Sequence, residues 1–204
     1  MPKSGPPKRE VGRPKASAAE AHTAIIDAVY ELLQEISVRD LTMERVAREA
    51  GVGKPTLYRW WKTKPALVMA MFRERIVPQL DAPEAGSIEK TLEAKVERLI
   101  SAFQGFFGKV IAELIAEGQS HPEVLEELKD GYLLQRRAST VAEIEAAQVA
   151  GQFPAHLDAE LMVDSIFGSI YFHLLLKVRP LSQEYGKALL RQVLSTASPP
   201  ADPA

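Results

Sequence analysis

The chain has 204 residues, of which 46% are hydrophobic and 25% are charged, and it contains no cysteine. This composition is typical of a globular protein, so it excludes wholesale disorder, a disulfide scaffold and any site built on thiolates. The formal net charge of −2 hides a division along the chain, because residues 1–80 carry +5 and residues 81–204 carry −7. A basic front and an acidic back indicate two parts that face different partners.

The start of the chain is basic, but no apolar run follows it, so no secretory signal is expected. The longest purely apolar stretches span only a few residues, whereas roughly 20 are needed to cross a bilayer. The expected location is therefore the cytoplasm, with no membrane partner.

The first predicted helix follows a basic arm. Residues 1–16 are rich in Pro, Gly and basic side chains, which cannot build a core, and they are predicted to be flexible. Ser17 and Glu20 have the spacing of a capping box, in which each side chain accepts from a backbone N–H at the start of a helix. Apolar residues at three-and-four spacing follow from Ile25 to Ile36, which predicts one buried helical face.

Two short helices joined by a glycine turn come next. Thr42 is the predicted N-cap of the first, which ends at Ala50. The turn is Gly51-Val52-Gly53, and the second helix spans Lys54 to Trp61. Two short helices with such a connection predict a helix-turn-helix.

The rest of the chain is predicted to be helical as well. Thr63 caps a connecting helix, and a loop at 78–86 with two prolines separates the two parts of the chain. Breakers and capping residues divide the remainder into five helices, of which the third opens at Ser120 with a predicted capping box. The sequence contains no internal repeat and no convincing period-two strand.

The predicted fold is therefore all-α, with about nine helices. Its predicted divisions are a flexible basic arm at 1–16, a helix-turn-helix domain at 17–63, a connecting helix at 64–80, a larger C-terminal domain at 81–197 and a disordered tail at 198–204.

The second helix of the helix-turn-helix presents a row of polar and aromatic side chains away from the core. These are Lys54, Thr56, Tyr58, Arg59 and Trp60. Cations, hydroxyls and aromatic rings in one row suit the phosphate oxygens and base edges of a DNA major groove. A helical hairpin with a glycine turn can imitate this motif, but the amphipathic helix before it and the basic arm favour nucleic acid.

The same segment resembles the signature of the TetR family of bacterial transcriptional repressors. The resemblance covers about Ala18 to Phe72, and it is carried by Leu41-Thr42, Val46-Ala47, Ala50-Gly51-Val52, Thr56-Leu57-Tyr58, Trp61, Lys64 and Leu67. It implies an all-α homodimer in which an N-terminal three-helix domain binds DNA. It also implies that the larger C-terminal domain dimerises and holds a small-molecule inducer.

Carried over by position, the resemblance implies a role for each residue of the motif. Thr42 would bond phosphate, and Arg45 would reach base or phosphate. The residues from Lys54 to Thr56 would read base edges or thymine methyl groups. Tyr58 and Lys64 would hold the DNA backbone.

Two tryptophans and the basic arm are also assigned from the resemblance. Trp61 is assigned to the core, whereas the Trp60 indole either donates to phosphate or packs inside. Gly12-Arg13-Pro14 resembles the extended tripeptide that inserts an arginine into an A·T-rich minor groove, and a solubilising tail is the alternative. The full set of expected DNA-binding residues is Arg13, Thr42, Arg45, Lys54, Pro55, Thr56, Tyr58, Arg59, Trp60 and Lys64.

The helix from Leu161 to Val178 is apolar on more than one face, so it is either buried in one chain or shared with a second chain. Together with the last helix it can form a four-helix interface between two copies. Two copies set about one DNA turn (~34 Å) apart would read a palindrome. The expected dimer residues are Leu161, Ser165, Gly168, Ser169, Phe172, Leu189 and Val193.

The C-terminal half also supplies candidate walls for a ligand pocket. Apolar walls with a few polar tips suit a small aromatic or aliphatic inducer, and the alternative is that a phenylalanine stripe at helical spacing is simple core. Nothing in the sequence pairs His121 with His173, so no metal site and no cofactor are expected. The expected ligand-binding residues are Phe103, Phe106, Phe107, Ile111, Tyr132, Leu133, Arg136 and Phe167.

An enzyme with its chemistry in a C-terminal pocket is the second hypothesis. The sequence offers no nucleophile–base pair, no metal-spaced cluster and no glycine-rich phosphate loop. Glu113, Glu117 and His121 have the spacing of one helical face, but Gly118 and Pro122 interrupt it. We therefore expect no enzyme but a homodimeric repressor that binds a palindromic DNA operator and is released by a small molecule. A DNA-binding module without ligand sensing is the third hypothesis.

The arm supplies most of the net positive charge at the front of the chain, since residues 1–15 carry +4 and residues 16–80 only +1. Removing residues 1–15 is expected to flatten the dependence of DNA affinity on salt, because fewer counterions are released on binding. Fluorescence anisotropy of labelled DNA at several salt concentrations measures the slope. Equal slopes for the truncated and full-length chains would contradict this division of the charge.

Overall fold

A computed structural model describes residues 17–80 and 86–195, and the regular secondary structure of these two segments is entirely helical. The all-α prediction is therefore confirmed. The predicted arm with Arg13, and the predicted tail at 198–204, lie outside the described residues.

Three helices form a unit that we call the head: α1 (Ala18–Glu35), α2 (Met43–Glu49) and α3 (Lys54–Trp60). The predicted capping box opens α1, because the Ser17 N–H donates to a Glu20 carboxylate oxygen at 2.7 Å and the Glu20 N–H donates to the Ser17 hydroxyl at 3.2 Å. Thr42 caps α2 by accepting from the Arg45 N–H at 3.2 Å. Gly51 has φ +64°, a left-handed conformation that glycine adopts without a steric cost, so the chain can turn sharply into α3.

The chain leaves the head through α4 (Lys64–Arg75) and the short α5 (Val77–Leu80). Thr63 caps α4 as predicted, by accepting from the Ala66 N–H at 3.2 Å. The middle of α4, from Leu67 to Phe72, is buried on all sides. It packs against α1 on one side and against the C-terminal helices on the other, so both parts of the molecule share one core.

The remaining helices form a unit that we call the body. Its first two helices are α6 (Ile88–Phe103) and α7 (Phe106–Gly118). A long helix follows, made of α8 (Pro122–Leu128), a π-helical turn (Lys129–Leu133) and α9 (Leu134–Val149), and the last two are α10 (Ala159–Leu176) and α11 (Gln183–Ser195).

The long helix differs from its prediction in two respects. Its N-cap is His121, which makes no side-chain capping bond, so the capping box predicted at Ser120 is wrong. The sequence also carries no local signal for the π-helical turn at Lys129–Leu133. With α8, the turn and α9 taken as one helix, the described segments contain ten helices, and α5 is the helix added to the nine predicted.

The chain bends by 80° between α6 and α7. Gly105 is the N-cap of α7, whereas Gly108 lies within its first turn. The end of α6 passes so close to Gly108 that an added Cβ would stand 2.1 Å from the carbonyl oxygen of Phe103. The predicted break is therefore real, and the close approach at Gly108 requires a residue without a side chain.

α10 packs against α6, α7, α9 and α11. Length and composition alone would let it cross a bilayer, a property that it shares with core helices of globular proteins. Its buried residues include Met162, Val163, Ile166 and Ile170, which pack within the body, while another side of the helix is exposed.

Replacing Gly108 with Ala is expected to lower the free energy of unfolding by about 2 kcal/mol or more, because the new Cβ meets backbone atoms that cannot move independently. Gly105→Ala is the matched control, since its Cβ would lie 3.7 Å from the nearest atom, and we expect a loss of about 1 kcal/mol or less. Urea denaturation measures both. Equal losses would contradict the close approach of α6.

Candidate nucleic-acid interface and effector cavity

The outer surface of α3 is formed by Lys54, Pro55, Tyr58 and Arg59, all of which are exposed. Leu57 points the opposite way and is fully buried. Because Leu57 fixes one side of α3 in the core, the helical period points these four expected DNA-binding residues toward solvent. Thr56 lies between the two faces and is half-buried.

The surface continues onto α2. The ammonium group of Lys54 lies 2.9 Å from a carboxylate oxygen of Glu44, and both side chains are more than half exposed, at 57% and 54%. The hydrogen bond from Lys54 lowers the pKa of the Glu44 carboxyl. An exposed pair of this kind is weak, so little free energy holds Lys54 in its contact with Glu44. Thr42 is exposed and Arg45 is half-buried at the start of the same helix.

Trp60 lies on the flank of α3 that faces α1, where it is partly buried against the core. Its ring centroid is 4.5 Å from that of His22 and 5.4 Å from that of Trp61, which is buried as predicted. The His22 ring packs at a tilt against both indoles and lies 3.3 Å from the Glu74 carboxylate. The packing alternative for Trp60 is therefore the one that the structure adopts.

Lys64 does not take the outward position expected of a phosphate contact. Its ammonium group lies 3.0 Å from a carboxylate oxygen of Glu117 on α7 and donates to the Val38 carbonyl at 2.9 Å. Only 21% of the Lys64 side chain and 17% of the Glu117 side chain are exposed. A partner distant in sequence thus binds Lys64 between the head and the body, and its contact with the DNA backbone stays a prediction.

Two further residues on the same face of α7 bind the head. Lys109 donates to the Leu33 and Ile36 carbonyls at 2.8 and 3.0 Å, where α1 ends, and Glu113 accepts from the Val38 N–H at 2.7 Å. We call Lys109, Glu113 and Glu117 the clamp face. Glu113 and Glu117, whose spacing was noted for the enzyme hypothesis, thus lie on a contact surface between head and body. His121 lies outside this surface.

The body contains a cavity of 930 Å³, which we call the effector cavity. Its walls come from α4 and α5, α6, α7, the long helix and α10. Four of the expected ligand-binding residues line it, namely Tyr132, Leu133, Arg136 and Phe167. Of these, Tyr132 and Leu133 belong to the π-helical turn.

The other four expected ligand-binding residues lie elsewhere. Phe103, Phe107 and Ile111 are buried in the core, where Phe107 stacks on Phe72 at 4.6 Å and on Phe103 at 5.2 Å. Phe106 and Phe107 border a separate open groove of 710 Å³ between α1, α6 and α11. For Phe103, Phe107 and Ile111 the core alternative is the correct one, because aromatic stacking fills the space between α4, α6 and α7.

Polar pairs that the sequence did not reveal line the effector cavity. Lys95 donates to Glu143 at 2.7 Å and to Thr140 at 3.0 Å. Arg137 donates to Asp164 at 2.9 Å, and this bond lowers the pKa of the Asp164 carboxyl and raises that of Arg137. Each pair joins residues on different helices, so the spacing of residues along one helix could not have predicted either pair.

Tyr171 on α10 lines the same cavity as Tyr132 and Arg136. Burial raises the pKa of its hydroxyl well above the ordinary value, with the neighbouring Tyr132 adding to the effect and the charge of Arg136 opposing it. Arg136 donates to the Leu80 carbonyl at 3.0 Å, and its guanidinium lies 5.8 Å from the centre of the Tyr132 ring.

The outer side of α10 carries exposed apolar residues, including Leu161, Phe172 and Leu176. Of the expected dimer residues, Ser165 and Gly168 are also exposed, and three others are half-buried. These three are Ser169, Leu189 and Val193. Across residues 17–80 and 86–195, no three side chains of the metal-binding types form a group that could hold an ion.

Known proteins match this architecture over most of the chain. The family model described as bacterial regulatory proteins, tetR family, matches residues 25–71, and the tetracyclin repressor-like C-terminal domain matches residues 82–193. The uncharacterized HTH-type transcriptional regulator YdeS of Bacillus subtilis is 30% identical over 88% of this chain and 89% of its own length. The HTH-type transcriptional regulator AqdR of Rhodococcus erythropolis is 25% identical over 82% and 80%. The crystal structure of the TetR family transcription regulator SCO0332 has a TM-score of 0.76 and 30% identity, covering 88% of this chain and 100% of that chain.

The contact between Lys64 and Glu117 is expected to stabilise the fold. A double-mutant cycle of Lys64→Met and Glu117→Gln should give a coupling free energy of about 1 kcal/mol or more, because both groups are largely shielded from water. Lys54 and Glu44 form the matched control, an exposed pair at a similar distance, for which we expect about 0.5 kcal/mol or less. Chemical denaturation measures both cycles. Equal coupling free energies in the two would show that shielding from water does not strengthen the pair of Lys64 and Glu117.

Proposed function

Because the chain belongs to the TetR family of bacterial regulatory proteins, we propose that it acts as a homodimeric repressor of transcription. In this proposal two copies of α3 enter successive major grooves of a palindromic operator, and a small molecule in the effector cavity releases the DNA. The chain is a helix-turn-helix transcriptional regulator. The repressor role, the dimer, the operator and the effector are what we add, and a DNA partner implies action in the cytoplasm.

The exposed surface of α3 is the observation that carries the proposal. It combines a cation in Lys54, an aromatic hydroxyl in Tyr58 and a guanidinium in Arg59 on one outward side. These groups donate to phosphate oxygens and to acceptors on guanine and adenine. Since one short helix reads only a few base pairs, a second copy is needed to read an operator of useful length.

The outer side of α10 supports the proposed dimer. Leu161, Phe172 and Leu176 are large apolar residues that a single copy leaves in contact with water. Contiguous apolar surface on a folded chain marks an interaction site, and a two-fold axis lets the same surface serve both copies. Gly168, which also borders the cavity, is exposed and has no atom within 4 Å of an added Cβ, so there is room for a second chain beside it.

The position of α7 supports release by a ligand. Its residue Ile115 lines the effector cavity, while the clamp face on the same helix binds the end of α1 and the loop after it. A ligand that displaces α7 would therefore change the position of the head. DNA affinity changes only if the ligand binds one arrangement better than the other.

Tyr58→Ala is expected to weaken operator binding by about tenfold or more, because the variant loses a phosphate contact and its packing against the DNA backbone. The operator is first identified by footprinting the DNA upstream of the gene itself. Anisotropy titrations with that fragment then give the affinities.

The matched control for this variant is Tyr30→Ala. Tyr30 and Tyr58 are 38% and 37% exposed, but Tyr30 lies on α1 next to Phe106, away from α3. Unchanged affinity in the Tyr58 variant, or an equal loss in both variants, would refute the assignment of the α3 surface. A footprint that contains no palindrome would refute the proposal that two copies of the chain bind the operator.

A further inference from the structure

We infer that Trp60 is a positioning residue for DNA recognition, whose indole holds the guanidinium of Arg59 in place to contact base edges in the major groove. The inference rests on the proposed function, because it assigns a part in operator binding to a side chain on the flank of α3 rather than on its outer surface. It thereby adds a residue that determines sequence specificity without contacting DNA.

The two cations on the outer surface of α3 are held in different ways. Lys54 pairs with the carboxylate of Glu44, whereas Arg59 has no ion pair with any of residues 17–80 and 86–195. The guanidinium of Arg59 lies over the ring of Trp60, 5.9 Å from its centre. At about 6 Å or less, the negative face of an indole attracts a cation. The indole is therefore the group that restrains the charged end of Arg59.

The ring of Trp60 is itself fixed by two other rings. The imidazole of His22 on α1 packs at a tilt against it, with 4.5 Å between the ring centres, and the indole of Trp61 meets it edge-on at 5.4 Å. His22 in turn lies 3.3 Å from the Glu74 carboxylate on α4, and Trp61 is buried in the core. The ring on which Arg59 rests thus keeps one position relative to the core of the head.

A restrained Arg59 binds a base more tightly than a free one would. A long side chain loses rotamer freedom when it is immobilised at an interface, and this loss weakens binding by about two- to tenfold for each such side chain. An arginine that already lies over an indole has lost part of this freedom in the unbound protein. The benefit is greatest for a guanine, because its two acceptors bind the planar guanidinium in one orientation only.

Replacement of Trp60 tests the inference on the full-length protein. Trp60→Leu removes the aromatic face but leaves an apolar side chain against the core, and we expect operator affinity to fall by about tenfold. This corresponds to roughly threefold for each of the two copies of Arg59. Trp60→Phe is the conservative variant and should retain most of the affinity, because a phenyl face also attracts a cation. Anisotropy titrations with the footprinted operator measure both.

A double-mutant cycle with Arg59→Ala separates positioning from a structural role. Arg59→Ala alone should weaken operator binding by about tenfold or more, because a base contact is lost. If the indole acts through Arg59, adding Trp60→Leu to this variant lowers the affinity no further. If Trp60 only maintains the fold of α3, its replacement lowers the affinity equally with and without Arg59.

Two controls accompany the cycle. Tyr58 shares the outer surface of α3, but it is not among the rings that pack against Trp60 in the described segments, so the losses from Tyr58→Ala and Trp60→Leu should multiply. Urea denaturation checks that each variant is folded under the conditions of the titration. Trp60→Met, which also lacks a ring, replaces the leucine variant if the latter is unfolded.

Three outcomes would overturn the inference: equal operator affinity of the wild type and Trp60→Leu, an equal loss in Trp60→Phe and Trp60→Leu, or an undiminished loss in the Arg59→Ala background. The second outcome would assign the effect to the indole N–H rather than to the face of the ring. In all three cases the proposed function stands if Tyr58→Ala still weakens operator binding. If the wild-type chain bound no operator, the proposed function would fail and the inference with it.

Discussion

Burial of α4 between the head and the body is the interaction on which the rest of the structure depends. The run from Leu67 to Phe72 has almost no contact with water, and each large side chain in it contributes about 1.5–3 kcal/mol by leaving water. Because these residues contact α1 on one side and α8 on the other, the head cannot turn without disturbing the core of the body. The two ends of the molecule are mechanically linked before any ligand or DNA is present.

Apolar contact alone would leave the orientation of the head loosely defined, since burial has no direction. The clamp face supplies direction. Lys109 binds two carbonyls at the end of α1, where the helix dipole favours a cation. Glu113 accepts from the N–H of Val38, which lies in the loop after α1. Core packing therefore joins the parts, and a few charged hydrogen bonds specify how they are joined.

The head could be predicted closely because its signals are local. Ser17, Thr42 and Gly51 each act on neighbours within four residues, and the apolar spacing of α1 defines its buried side without reference to the rest of the chain. What the sequence missed are contacts between distant segments. Lys64 was assigned to the DNA backbone from the resemblance, and its contact with Glu117 could not be predicted because the partner lies on a different helix and no pattern in one sequence joins the two. Which phenylalanines border a cavity and which fill a core depends on how α4, α6 and α7 meet, and α7 meets α6 at an angle that Gly108 permits.

The π-helical turn at Lys129–Leu133 has a consequence for how such a cavity changes over time. An α-helix advances by about 100° per residue, and a π-helical turn absorbs one extra residue without breaking the helix. Loss of a single residue here would restore an uninterrupted α-helix and leave α8 and α9 in place, because the turn already absorbs that residue. A one-codon deletion at this turn can thus change which side chains the turn itself presents to the cavity, Tyr132 and Leu133 among them, without displacing the helices on either side.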